Sequence, residues 1–163
     1  MLFHRNPHGK SIPARWWARN IAANYRALFP RLEALCRATC PWCPTPCCGH
    51  ATVWFDAVDR CFLNLQGLAL PPGPFGPETT PPCRYLGPRG CRLPRLQRPW
   101  ICHWYLCPTQ RRRLQAEGPE ALEGMDRLIL QSKAARRAMM QAAELAKDCL
   151  GWTGSASNCD WSK

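Results

Sequence analysis

The sequence predicts an α+β fold that is mostly helical. An N-terminal and a C-terminal helix are expected to flank a loop-rich, cysteine-ligated metal core with a short β-hairpin. Three observations predict it. Apolar residues recur at helical spacing near both ends of the chain. Seventeen prolines and twelve cysteines fall mainly in between. The 163 residues, 46% apolar, suffice for one globular domain without staples. The expected organisation is a single domain over 1–163. An arm and helix take 1–39, the cysteine core 40–107, the C-terminal helix 108–150 and a tail 151–163.

Residues 1–10 read as a loose arm. Ser11 is placed to cap a first helix and Pro13 suits its first turn. Trp17, Ile21, Tyr25 and Leu28 then share one helical face, running to about Phe29. Pro30 is expected to kink or restart the helix, with Leu32 and Leu35 carrying the face towards Cys36. The stretch A-T-V-W-F-D at 51–56 reads as a short β-like piece, and Asp56 as the cap of a helix over about 57–66. Gly67 is placed to end that helix in a left-handed conformation, with Leu68 packing back. The proline-rich run 70–82 reads as a stiff loop. C-R-Y-L-G-P-R-G-C-R-L at 83–93 predicts a hairpin around Gly-Pro-Arg-Gly with a cysteine on each arm.

A helical turn is expected from Pro99, and a long helix from about Pro119 to Cys149. Early acids and later bases suit that helix's dipole. Its stripe is Ala121, Met125, Leu128, Ser132, Ala135, Met139, Ala142 and Ala146, mostly small, which lets the N-terminal helix approach closely. The methionines read as core filler.

The start, MLFHRNPHGK, lacks the apolar stretch of a secretory signal. No apolar run reaches the roughly 18–20 residues of a membrane span. The expectation is therefore a cytoplasmic protein with no membrane partner. Cytoplasmic thiols stay reduced, which favours metal ligation over disulfides or incidental buried thiols. Formal charge is +11, which fits either a solvated basic surface or an anionic partner. Eight thiolates and two dipositive centres would bring that to about +7, an ordinary value.

The cysteines form two groups. The first is Cys40-x2-Cys43-x3-Cys47-Cys48, and the second is Cys83-x7-Cys91-x10-Cys102-x4-Cys107. Cys36, Cys61, Cys149 and Cys159 lie outside them: Cys36 reads as a helix residue near the site, Cys61 and Cys149 as buried small apolar residues and Cys159 as a free thiol. A C-x2-C step lets two thiolates reach one metal. Cys47 and Cys48 are adjacent, so their side chains diverge and should not serve one ion. Two neighbouring four-ligand sites, or one larger cluster, are expected, with this pair at the junction. Pro41, Pro44 and Pro46 stiffen the loop, so less entropy is lost when the thiolates converge.

This pattern, C-x2-C-x3-C-C followed by C-R-Y-L-x3-G-C-R-L and R-P-x2-C-x4-C, resembles the zinc- or iron-chelating cysteine-cluster family called YkgJ-like. Flagellin lysine N-methylases carry a related cluster. The resemblance covers about residues 40–107. It implies Cys40, Cys43, Cys47, Cys48, Cys83, Cys91, Cys102 and Cys107 as ligands. All-thiolate sites suit zinc and iron–sulfur alike. Proline-rich loops, irregular spacings and many aromatics that can shield a cluster favour iron–sulfur, as [4Fe-4S], with Zn2+ the alternative.

The remaining signals have bland readings. Cys36-x3-Cys40-x2-Cys43 matches the radical-SAM spacing, but the chain lacks the repeated strand–helix units of that barrel. His50 and His103 lie beside ligand cysteines, as neighbours or hydrogen-bond donors to sulfur rather than ligands. Arg98 suits either an ion pair or the offsetting of thiolate charge. Arg111, Arg112 and Arg113, near Trp100, Trp104 and Tyr105, read as a solvated face, with nucleic-acid binding the sharper alternative. Asp56 and Asp59 look like a helix cap, and no small-molecule pocket or nucleophile elbow is recognisable. The expected function is metal-cluster binding with an electron-transfer, sensing or maturation role, another protein being the partner. The alternatives are a structural zinc module for protein or RNA, and a small enzyme with an open coordination position.

Overall fold

The computed structural model describes residues 12–72, 81–88 and 90–146. Its frame is a pair of long helices, α1 (Ala14–Thr39) and a C-terminal partner over Pro119–Ala146, which make the most extensive packing in the described chain. The face that α1 buries is Ala14, Ala18, Ile21, Ala22, Tyr25, Leu28, Leu32 and Leu35. The C-terminal helix answers with Met125, Ser132, Ala135, Ala138, Met139, Ala142 and Ala143. The small residues permit close approach, and the methionines fill the gaps as expected. Pro30 does not restart α1, which runs through it. Having no N–H, it leaves the Arg26 carbonyl without its ladder donor, a cost that the packing on both sides outweighs. The Ser11 cap lies outside the described residues, and Pro13 is the N-cap rather than a first-turn residue.

After α1 the chain makes a 3-10 turn (Cys40–Trp42), the single turn α2 (Cys47–His50) and the helix α3 (Ala57–Leu65). The 51–56 piece is extended but carries no strand assignment. β-branched and aromatic residues favour extension, yet a ladder needs a partner edge. Phe55 instead goes into the core. Asp56 caps α3 as expected. The Asp59 N–H donates to Asp56 Oδ1 at 2.6 Å, and the Asp56 N–H donates to Asp59 Oδ2 at 3.2 Å. At the other end Gly67 has φ 66°. Its N–H reaches the Asn64 carbonyl at 3.0 Å, and the Leu68 N–H reaches that of Leu63 at 2.9 Å, a Schellman closure. A Cβ at Gly67 would meet no atom within 4 Å, so Gly67→Ala carries only the backbone cost. We expect a loss of about 1–2 kcal/mol, read from a denaturation midpoint, with metal content unchanged.

The hairpin is present and short. β1 (Leu86–Gly87) pairs antiparallel with β2 (Gly90–Cys91), Leu86 opposite Cys91. Cys91 lies on the second arm, whereas Cys83 precedes the first, its carbonyl accepting from the Leu86 N–H at 2.8 Å. Residues 73–80, within the expected stiff loop, lie outside the described residues. A 3-10 turn (Arg95–Gln97) leads to the one-turn helix α4 (Ile101–Trp104), just after Pro99. The segment 108–150, expected as the C-terminal helix, holds two helices among its described residues, α5 (Pro108–Ala116) and α6 (Pro119–Ala146), parted at Gly118 with φ 117°, and α6 starts at Pro119 as expected for the long helix. No described helix is long and apolar enough to cross a membrane.

Arg136 of α6, wholly buried, ties these elements together. Its Nη1 donates to Asp59 Oδ1 at 2.7 Å and to the Tyr25 hydroxyl at 3.3 Å. Its Nη2 donates to Asp56 Oδ1 and Oδ2 at 3.0 and 2.8 Å. The guanidinium lies 5.0 Å from the Trp100 ring centre, and the Trp100 N–H in turn donates to Asp59 Oδ1 at 3.1 Å. One side chain therefore joins α6, α3, α1 and the segment that enters α4. Burial pushes the Asp59 carboxyl up to about 6, with Arg136 opposing. Burial works against the Arg136 charge, but Asp59, Tyr25 and Asp56 outweigh it and hold the guanidinium protonated. With Asp59 still below neutral and the contacts this short, the pair is ionised at neutral pH.

Candidate metal centre

The loop carrying the first cysteines is built by its prolines. Pro41 sits in the first turn of the 3-10 segment, which closes with the Cys43 N–H on the Cys40 carbonyl at 3.2 Å. Pro46, with φ −62° and ψ 134°, is the N-cap that launches α2 at Cys47. Successive residues on a helix point about 100° apart, so Cys47 and Cys48 diverge. The Cys83 N–H donates to the Cys48 carbonyl at 2.8 Å, which docks the start of the second group onto the end of the first. Cys102 is presented by α4, its N–H on the Pro99 carbonyl at 2.9 Å. Cys107 is the N-cap of α5. Its sulfur accepts from the Gln110 N–H, and its own N–H donates to Gln110 Oε1 at 3.3 Å.

The thiols fall into two neighbourhoods, distinguished by whose charge each one feels. Burial pushes Cys102 up to about 12, reinforced by Cys48, Cys91 and Cys83, while Arg98 opposes. Cys48 is raised by burial, then by Cys83 and Cys91, and less by Cys47 and Cys36. Cys47 is raised by burial, then by Cys107 and, further down, Cys43, while the Tyr105 hydroxyl hydrogen-bonds to its sulfur. Cys40 is pushed up to about 11 by burial and then by Cys36. Cys48, Cys83, Cys91 and Cys102 thus form one neighbourhood. Cys36, Cys40, Cys43, Cys47 and Cys107 form the other, and the adjacent pair divides between them.

All nine of these cysteines are free thiols. Among the described residues, no three thiol, imidazole or carboxylate groups converge closely enough to hold a metal ion as they stand. A donor set made wholly of sulfur nonetheless fits zinc or iron–sulfur in kind. Several thiols held protonated at neutral pH are also what such a set looks like before a metal displaces the protons.

The remaining candidate residues have definite places. His103 is fully buried and bonds the Arg98 carbonyl through Nε2 at 3.0 Å rather than a cysteine sulfur. It stacks on Tyr25 with ring centres 4.0 Å apart, and burial lowers it to about 3, so it is neutral. His50 is exposed. Arg98 lowers Cys102 while its Nε donates to the Leu93 carbonyl at 3.1 Å, so it both offsets charge and holds backbone. The expected aromatic shield is incomplete, since Trp42 is 83% exposed and Trp104 and Tyr105 also face solvent. Arg111, Arg112 and Arg113 are exposed, and Arg111 lies 3.8 Å from Asp126.

Cys61 corrects an expectation. It is buried in the core as predicted, but it is disulfide-bonded rather than a packed thiol, its partner lying outside the described residues. Cys149 and Cys159 are also outside them. Sequence reasoning missed Gln110 and Arg95, which donate to the Cys36 sulfur at 3.8 Å each. A glutamine three residues after a helix-opening Cys107 was the available signal for the first, by analogy with a capping box. No family model, curated protein or solved structure matches the chain.

Proposed function

We propose that this chain is a metal-binding protein of the YkgJ-like kind, holding its metal through the two thiol neighbourhoods. The eight ligands are Cys40, Cys43, Cys47, Cys48, Cys83, Cys91, Cys102 and Cys107. An iron–sulfur centre, [4Fe-4S] in type, is the reading we favour, in a small cytoplasmic accessory protein with an electron-transfer, sensing or maturation role towards another protein. When bound, such a centre stores and passes an electron. The chain's own part is to present the sulfurs on short stiff turns, to hold Cys102 through the Arg136 network and to offset its charge with Arg98. The observation that carries this reading is the division of Cys47 and Cys48 between the neighbourhoods. Their divergence follows from adjacency on a helical turn, and what supports a metal role is that each of the two meets further thiols on its own side.

Cys47→Ser and Cys48→Ser are therefore expected each to lose metal, but from different neighbourhoods and with different absorption spectra. Wild-type metal content in both variants would remove the reading. A structural zinc module is the second reading, favoured by the exposure of Cys40 and Trp42. That edge gives an iron–sulfur cluster little cover from solvent, whereas zinc tolerates it. A colourless protein containing zinc and no sulfide would decide for it. The cytoplasmic placement keeps the nine thiols reduced, and a reducing compartment would also open the Cys61 bond.

A further inference from the structure

We infer that Cys36 is a ninth metal-ligating thiol, joining Cys40, Cys43, Cys47 and Cys107 on a soft-metal centre of more than one ion, since a single zinc ion or [4Fe-4S] cluster takes only four thiolates. The inference rests on the metal-binding reading and deepens it, since Cys36 lies outside the eight-cysteine pattern.

Position comes first. Cys36 and Cys40 are four apart at the end of α1, where the Cys40 N–H bonds the Cys36 carbonyl. Residues at that spacing lie on one helix face, and Cys36 is the neighbouring charge that most raises Cys40. The charge of Cys36 also reaches Cys48 of the other neighbourhood. Cys36 therefore sits beside the junction, near the end of the longest helix that any of the described thiols occupies.

The surroundings of its sulfur are the second argument. A cysteine kept for packing lies among apolar side chains. The Cys36 sulfur instead accepts from two N–H groups on separate elements, Arg95 Nη2 and Gln110 Nε2, each at 3.8 Å. The Arg95 side chain is 9% exposed and Gln110 is 6% exposed, so both donors are buried and aimed at sulfur. Arg95 also approaches Glu33, Nε to Oε1 at 3.6 Å. Buried N–H donors of this kind are how proteins orient and tune metal-bound thiolates. Gln110 also donates to Thr39 Oγ1 at 3.4 Å and accepts from the Cys107 N–H. One side chain thus ties Cys36 to Cys107 across the end of α1.

The test uses zinc, added anaerobically to the reduced full-length chain. Expected is a loss of about half the bound zinc in Cys36→Ala and Cys36→Ser, the share of one neighbourhood, matching the loss in Cys40→Ala. A second readout needs no variant. In wild-type protein, Cys36 should be alkylated at least about tenfold more slowly with zinc than without it. Full zinc content in the Cys36 variants, or a Cys36 alkylation rate indifferent to zinc, would overturn the inference and leave the eight-ligand reading standing. Wild-type protein that takes up no zinc and cannot be reconstituted with iron and sulfide would take down both.

Discussion

Replacing Arg136 with methionine is expected to destabilise the folded chain by about 3–5 kcal/mol, measured by urea denaturation at neutral pH. The variant keeps an unbranched side chain but leaves Asp59 buried without its countercharge and removes both contacts to Asp56. A loss under about 1 kcal/mol would mean the pair behaves as an exposed one. The deficit should depend on pH. Burial raises Asp59 from 3.8 to about 6, so the folded chain binds that proton more tightly than the unfolded chain does. Through this one group, stability is fully present below 3.8 and is lost as pH rises through about 6. Without Arg136 the carboxyl rises further, so the deficit of Arg136→Met should be largest at neutral pH and should narrow on mild acidification. The variant should also bind metal less tightly, because Trp100, held by Asp59, leads into the turn that presents Cys102.

Metal removal is the other large effect. The segment 40–107 contains only short turns, one nine-residue helix and a two-residue-per-strand hairpin among its described residues. Such a segment has little cooperative structure of its own, and structural metal can supply on the order of 10 kcal/mol to a domain of this kind. After chelation or oxidation, protease should cut first within 40–107, while α1 and α6, packed on each other, persist longer. Equal resistance before and after metal removal would show that the core stands without metal.

What the sequence made legible was local. The apolar face of α1, the Asp56 cap, the Gly67 stop and the hairpin turn are each written within about a dozen neighbouring residues, and each is found. What it hid was mostly long-range. Arg136 read as one more base suited to a helix C-terminus, because its partners Asp59 and Asp56 lie 77 and 80 residues away. The donors to Cys36 are 59 and 74 residues distant, so nothing near Cys36 announced them. The 51–56 piece had strand composition but no partner edge, which composition cannot supply. The helix α5 was passed over because it buries only Gln110 and Leu114 and so shows no apolar stripe. The division of Cys47 from Cys48 followed from their adjacency alone, whereas the membership of each neighbourhood needed the fold.

The central claim is that the two thiol neighbourhoods hold metal. It is tested most directly by anaerobic purification of the full chain, followed by iron, zinc and acid-labile sulfide analysis with an absorption spectrum. A brown protein with iron and sulfide in matching amounts, absorbing near 400 nm, is the expected result. A protein free of iron, zinc and sulfide, with all nine described free thiols reacting with a thiol reagent under native conditions, would contradict it.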